Sequence, residues 1–334
     1  MKKFIPAAFV LIASMAALGA EVPDSLNEIL PEGTTPQLLQ RQAVLEWATV
    51  VDECNVMYDV EGNVARVSVK GAAPGVDAEL FRDLRRWPEL QTLHVRHQRP
   101  TRESLSLLVQ LPKFEGLCLM NIGEDPETGK RSLEQGFAAE LFPLAPRLRN
   151  LDLVHTFGYR LNQPPFDQWP EFPALERLVL EGGGAKNLEL FAKTPALRVL
   201  GLHRTSLTAE DFARFPELLP NLKVLMIKPR RELDPSFLVP LTQMPHLETL
   251  AFHHWTPEKL GGWEGLQVLV NMPQLKRIVF GGSQGGDQSS LEQLLEARPD
   301  LEIISGNYGP PVTGSDGRLL YSPRDVDAWT LPEG

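Results

Sequence analysis

The chain has 334 residues, 43% of them hydrophobic, with 33 basic and 43 acidic side chains and a net charge of −10. A net anion without a basic cluster is a poor match for nucleic acid or anionic lipid, since both require local positive charge. Two cysteines, Cys54 and Cys118, are too few for a disulfide scaffold.

The chain opens MKKFIPAAFVLIASMAALGA. Lys2 and Lys3 form a positive start, Phe4 to Leu18 an apolar run, and Gly19 and Ala20 a small-residue cleavage point. That order is the pattern of a secretory signal peptide over 1–20. The apolar run is shorter than the ~20 residues a membrane span needs, and no Cys follows it to carry a lipid. The expectation is an exported protein, periplasmic or extracellular, with no stable membrane span after signal removal. Residues 21–33 read as a mobile lead. The stretch 34–51 reads as an amphipathic helix with Thr35 as its cap and Pro36 in its first turn, inside an N-terminal cap over 34–63.

From there an eight-residue pattern recurs: Pro, any residue, Leu, two residues, Leu, one residue, Leu. Its copies are PELQTLHV (88–95), PKFEGLCL (112–119), PRLRNLDL (146–153), PALERLVL (173–180), PALRVLGL (195–202), PNLKVLMI (220–227), PHLETLAF (245–252) and PQLKRIVF (273–280). VARVSVK (64–70) precedes them without the Pro, and PDLEIIS (299–305) is a degenerate last copy. The anchors Leu90, Phe114, Leu148, Leu175, Leu197, Leu222, Leu247, Leu275 and Leu301 follow one another at intervals of 22 to 34 residues.

The last two apolar positions of each copy are two apart, so they share one side of a strand, and the residue between them faces the other way. Helically spaced apolar residues follow: Leu105, Leu108 and Val109; Phe137 and Leu141; Phe212 and Phe215; Leu291, Leu294 and Leu295. One such unit cannot bury its apolar side alone, whereas stacked units bury a continuous core. The recurring Pro ends the return segment and biases the chain toward extended structure.

This pattern resembles the leucine-rich repeat superfamily, whose signature is L-x-x-L-x-L-x-x-N/C-x-L. The resemblance covers 64–305. It implies an α/β solenoid, a curved horseshoe with about ten parallel strands on its concave face and helical or irregular returns. Where the family usually has Asn, this chain has Asn121 in one copy and Thr205 in another, which implies uneven curvature. Residues 306–334 are expected to be a C-terminal cap or tail.

In that fold the residues between and beside the buried leucines line the strand face. The central column runs Ser68, His94, Cys118, Asp152, Val179, Gly201, Met226, Ala251 and Val279. From Val179 it becomes apolar, and Val199 and Val224 lie beside it; exposed patches of that kind mark contact surfaces. Either a partner protein or peptide docks there, or the tail, a cap or a second copy covers it. Small residues such as Gly201 and Ala251 suit close approach. Six of the seven histidines (94, 97, 155, 203, 253, 254) fall in or just after a strand. With Arg96, Arg204, Lys228 and Trp255 they form a rim suited to binding, or simply solvated strand ends.

His94, Cys118 and Asp152 occupy equivalent positions on three adjacent strands. They are weak zinc or thiol-catalysis candidates, because Cys sits in the middle and Asp cannot orient His. No phosphate loop, His-Glu-x-x-His or Cys-x-x-Cys is present, and no cofactor is implied. Residues expected to form the contact patch are Arg177, Val199, His203, Val224, Met226, Lys228 and His253. The reading is a non-catalytic protein-binding scaffold. A self-associating envelope component is the alternative, and a metal- or thiol-dependent enzyme a remote one.

Overall fold

The computed structural model describes residues 35–48, 53–71, 83–97, 100, 102–120, 135–154, 169–182, 184, 185, 187–229, 233–281, 288–306, 312, 313 and 319–321. The signal and lead at 1–33 lie outside the described residues. The chain divides into two compact units: residues 1–164 with 169–174, and residues 165–168 with 175–334.

In the first unit, the hydroxyl of Thr35 accepts the Leu38 N–H at 3.2 Å and starts the helix Pro36–Ala48. This satisfies one of the N–H groups that a helix start leaves without a partner. Gln40 ties the helix to the first repeat. Its side-chain oxygen accepts the Val64 N–H at 2.7 Å, and its carbonyl accepts the Trp87 indole N–H at 3.3 Å. The cap also holds an element absent from the sequence reading. Strand β1 (Glu53–Tyr58) runs antiparallel to β2 (Val64–Lys70), the first repeat strand. The Asp59 carboxylate accepts the Asn63 N–H at 2.8 Å, and Gly62 takes a left-handed φ of 85°, which closes the turn between them. β3 (Thr92–Arg96), β4 (Gly116–Met120) and β5 (Asn150–Val154) then add in parallel, in sequence order.

The second unit continues the pattern with β6 (Arg177–Glu181), β7 (Val199–Thr205), β8 (Val224–Pro229), β9 (Thr249–His253), β10 (Arg277–Gly281) and β11 (Glu302–Gly306). They too are parallel neighbours in sequence order. A small antiparallel pair follows, β12 (Val312–Thr313) with β13 (Leu319–Tyr321). Both units are leucine-rich repeat solenoid.

The recurring Pro does more than end a return segment. The anchor N–H bonds back to the carbonyl three residues earlier: Leu90 to Trp87, Phe114 to Leu111, Leu197 to Thr194, Leu222 to Leu219, Leu247 to Met244, Leu275 to Met272 and Leu301 to Arg298. Each is a β-turn with Pro at its second position, where the ring's fixed φ suits the turn. After the turn, one carbonyl receives the N–H groups of two successive residues of the next repeat. Glu176 accepts from Arg198 and Val199, Arg198 from Lys223 and Val224, and Lys223 from Glu248 and Thr249. Turn and carbonyl together set the register before the strand begins.

The anchors are buried throughout, from Leu90 to Leu301. Return segments are helical in places, as at Arg102–Gln110 and Gln288–Ala297, and reduced to short helical turns elsewhere. Leu105, Leu108, Leu141, Phe212, Phe215, Leu291 and Leu294 are buried as expected; Leu295 is not, and projects outward. Phe137 has no described side chain. In the second unit an aromatic row crosses the repeats: Phe191–Phe215 at 5.8 Å, Phe215–Phe212 at 4.7 Å, Phe212–Phe237 at 5.1 Å and Phe252–Phe280 at 5.6 Å between ring centroids. Such pairs contribute about 0.5–1.5 kcal/mol each beyond their buried area.

Polar side chains at the turns cap the preceding return. Arg147 donates to the carbonyls of Pro112, Leu108 and Val109, Asn221 to Pro195, and Gln274 to Met244. Arg298 does the same for Met272 and Leu275, both at 2.8 Å, while Asp300 holds its guanidinium from the side.

Candidate protein-binding face of the second unit

The seven contact candidates are brought together. Strand pairing aligns Arg177, Val199 and Val224 in one column, Gly201 with Met226 in the next, and His203 with Lys228 in the third. His253 joins the last group: its ring stacks with His203 at 6.3 Å, and His254 packs edge-on against it at 4.2 Å. The patch therefore spans β6 to β9 as the repeat spacing implies.

Its exposure differs from expectation. Val179, Val199 and Met226 are only 1%, 2% and 3% exposed, and even Arg177 and His203 reach only 5% and 6%. β6 is buried at every position, on both faces. By contrast β2 alternates between buried and half-buried, as a strand with one solvated face does. Of the seven, only Val224, Lys228 and His253 remain half-accessible. Gly201 is not a vacancy for a partner. A Cβ there would lie 2.8 Å from Val179 Cγ1 and 2.9 Å from Met226 Cε. The glycine is required because its own neighbours lean over it.

The rim histidines have a conformational explanation in part. The residue just after the strand takes the left-handed region in repeat after repeat: Gly71 (φ 65°), His97 (58°), Gly182 (74°), Arg204 (49°) and His254 (59°). Gly71 and His97 use it to extend the ladder, donating to the carbonyls of Arg96 and Met120. His is enriched among the non-glycine residues that tolerate this region. Arg204 sits at the register break of β7 and pairs with Glu181 at 3.5 Å. His155 and Asn121 lie outside the described residues. Thr205, at the family's Asn position, accepts the Leu207 N–H at 3.2 Å.

His253 is different. It belongs to the strand, its Nδ1 is buried, and that atom makes no hydrogen bond among the described residues. Its burial first, then the Lys228 ammonium and His254, hold its pKa at about 3. The imidazole is therefore neutral at physiological pH, and Lys228 supplies the charge beside it. Sequence pattern placed both residues on one rim but carried no sign of this imbalance.

In the first unit, His94, Cys118 and Asp152 do align on β3, β4 and β5. Cys118 and Asp152 are buried, and no group of three or more metal-binding side chains occurs among the described residues. Cys54 aligns with Val69, Val95 and Leu119. Cys118 is adjacent to Leu119 and so faces the other side of the sheet, with β2 and β3 between the two cysteines. Neither cysteine is in a disulfide, and burial pushes the Cys54 thiol up.

No protein-family model matches the chain, and no curated protein does. Among solved structures it is similar to a chain of the yeast Rad7–Elc1 complex, with 14% identity, TM-score 0.38, and 93% of this chain and 88% of that one covered. It is also similar to the leucine-rich repeat-containing protein LegL7 of Legionella pneumophila, with 13% identity, TM-score 0.43, and 87% and 91% covered. The repeat assignment stands on the strand register and buried anchors of this chain and not on these likenesses. No helix among the described residues is long and apolar enough to cross a membrane.

Proposed function

We propose that this chain is an exported, non-catalytic scaffold that binds a partner protein along the rim formed by Val224, Lys228, His253 and His254. The observation that carries this reading is the His253 Nδ1, buried without a hydrogen bond among the described residues beside the Lys228 charge. A buried polar atom without a partner costs about 1–3 kcal/mol, which a ligand group relieves on binding. Lys228 selects a partner presenting an acidic side chain or a carboxylate. Solenoids offer extended surfaces for such contacts, and the N-terminal pattern of Lys2, Lys3 and the apolar run supports export.

The test uses the mature chain, cross-linked in envelope extract of its native host. Lys228→Glu lowers capture of the partner about tenfold or more through charge reversal, with circular dichroism unchanged. Met226→Glu is unsuitable, because at 3% exposure it would bury a carboxylate and unfold the repeat. Undiminished capture by Lys228→Glu and by Val224→Glu removes the rim from the reading. An N-terminus still at Met1 in the native host removes export.

One observation favours self-association instead. The cap exposes Leu38, Leu45, Met57, Tyr58 and Val60, and β1 is the edge strand of the first unit. Apolar side chains on an open edge invite pairing with another chain. A discrete dimer by light scattering that Tyr58→Lys dissociates would support this second reading.

A further inference from the structure

The strand face of the first unit is open where that of the second is buried. On β2, Arg66, Ser68 and Lys70 are half-exposed, and on β3 so are His94 and Arg96. On β4 every position is buried. Strand register gathers the open residues on one side: Arg66 pairs with Thr92, Ser68 with His94 and Lys70 with Arg96. Lys70 and Arg96 are a whole repeat apart in sequence, so no basic run announces them, and the parallel register makes them neighbours. Two features of Arg96 call for an anion. Its partners in register are Lys70 on one side and Met120 on the other, so it faces a like charge and no acid. Like charges directly opposite one another destabilise a sheet. Its Nη2 is also buried and makes no hydrogen bond among the described residues. By contrast Arg147, Arg277 and Arg298 each reach carbonyls or a carboxylate. Among the described residues of β1 to β3, the one acid at a register position on this face is Glu53, which pairs with Lys70 and lies a strand further from Arg96.

We infer that the outward face of β2 and β3 is a docking site for an extended acidic peptide, with one carboxylate between Lys70 and Arg96 and a second beside Arg66. Strands in register are ~4.8 Å apart, so a single carboxylate bridges Lys70 and Arg96. Guanidinium groups match the geometry of carboxylates and bind them more tightly than neutral acceptors. Arg66 stands four residues back along β2, ~13 Å away at ~3.3 Å per residue. One small anion cannot span that distance. An extended peptide lying along the strands presents same-side side chains at every second residue. Acids at positions i and i+4 therefore meet both ends of the site, and Ser68 and His94 lie between them. The strands VARVSVK and TLHVR carry no aromatic ring on which a base could stack, unlike a platform for single-stranded nucleic acid. The site lies wholly in the first unit and does not rest on the rim proposed for the second.

Fluorescence anisotropy on the full chain tests it. The probe is a fluorescein-labelled, end-blocked peptide, Gly-Glu-Thr-Val-Thr-Glu-Gly, and the control carries Gln in place of both Glu. The parent chain binds the acidic peptide about tenfold or more tightly than the control, and the difference shrinks as salt rises. Arg96→Gln and Lys70→Gln each lower the affinity about tenfold, Arg66→Gln less, and Lys228→Glu leaves it unchanged. Arg96→Gln also keeps the parent's resistance to denaturant, because it removes a like-charge contact, whereas loss of a purely structural arginine would lower it. Equal binding of the two peptides overturns the inference, and so does an affinity that survives both Arg96→Gln and Lys70→Gln. Binding lost in Lys228→Glu and kept in those two variants assigns the peptide to the second unit and overturns it as well. A single-stranded oligonucleotide or inorganic phosphate that binds more tightly than the peptide through the same residues does the same. Should Arg96→Gln fail to fold, Ser68→Glu decides. It leaves Arg96 in place and sets an acid on the half-exposed face beside it, so peptide binding is lost; undiminished binding refutes the site.

Discussion

Val179 and Met226 converge on Gly201 from the strands on either side. Their methyl groups lie 2.8 Å and 2.9 Å from where a Cβ on that glycine would stand, across the three strands β6, β7 and β8. The smallest residue in the column is thus part of the packing. Gly201→Ala forces the β-branched Val179 to shift and costs about 1–3 kcal/mol as an overpacking change. Denaturant titration reads the loss, and Val179→Ala in the same chain recovers part of it, as expected for contacting residues.

Arg298 closes the last full repeat. It holds the carbonyls of Met272 and Leu275 at 2.8 Å while Asp300 supports it at 2.7 Å and 2.8 Å. Arg298→Ala leaves those carbonyls without their donor and lowers stability by about 2–3 kcal/mol, the usual range for bonds to a charged group. Arg298→Lys fails to restore it, since an ammonium cannot reproduce the planar fork. Equal stability of the Lys variant and the parent would show that charge alone acts here.

His253 predicts a pH dependence. Unfolded, its imidazole titrates near 6.5; folded, it is held at about 3 by burial, Lys228 and His254. Between those values the unfolded chain binds the extra proton, so folding loses stability as pH falls. The contribution is complete above pH 6.5 and declines toward pH 3. In an NMR titration the His253 ring signals stay flat from neutral pH to about 4. Lys228→Met raises the pKa only part of the way, because burial is the larger cause. A His253 titrating near its ordinary value would show the ring to be solvated.

The left-handed position after the strand separates conformation from recognition. His254, with φ 59°, costs strain that glycine does not have. His254→Gly keeps thermal stability or raises it slightly, whereas His254→Val lowers it by about 1–2 kcal/mol. A loss on His254→Gly as large as on His254→Val would mean that the ring's contact with His253, and not the backbone, holds this corner.

The repeat, the anchors and the strand columns were legible in the residues. A spacing of two in a strand puts Leu178 and Leu180 on one face whatever surrounds them, and Pro at a turn needs no distant partner. The cap strand β1 was less legible. ECNVMY has no Pro and no leucine pair, and only the Asp59–Asn63 turn signals that it folds back. Several rim histidines looked like a binding feature, and the positive φ angles of His97 and His254 show that part of the signal came from backbone geometry.

By itself the sequence determined that this chain stacks leucine-rich units, which residues face the core, and which ones share a column on the other side. Those are consequences of local period and turn chemistry. Only the tertiary structure decided that the outward column is buried, that Gly201 is filled by its own neighbours, and that His253 is neutral beside Lys228. Exposure and pKa depend on what lies across a face from distant parts of the chain, and a repeat pattern states only which way each side chain points.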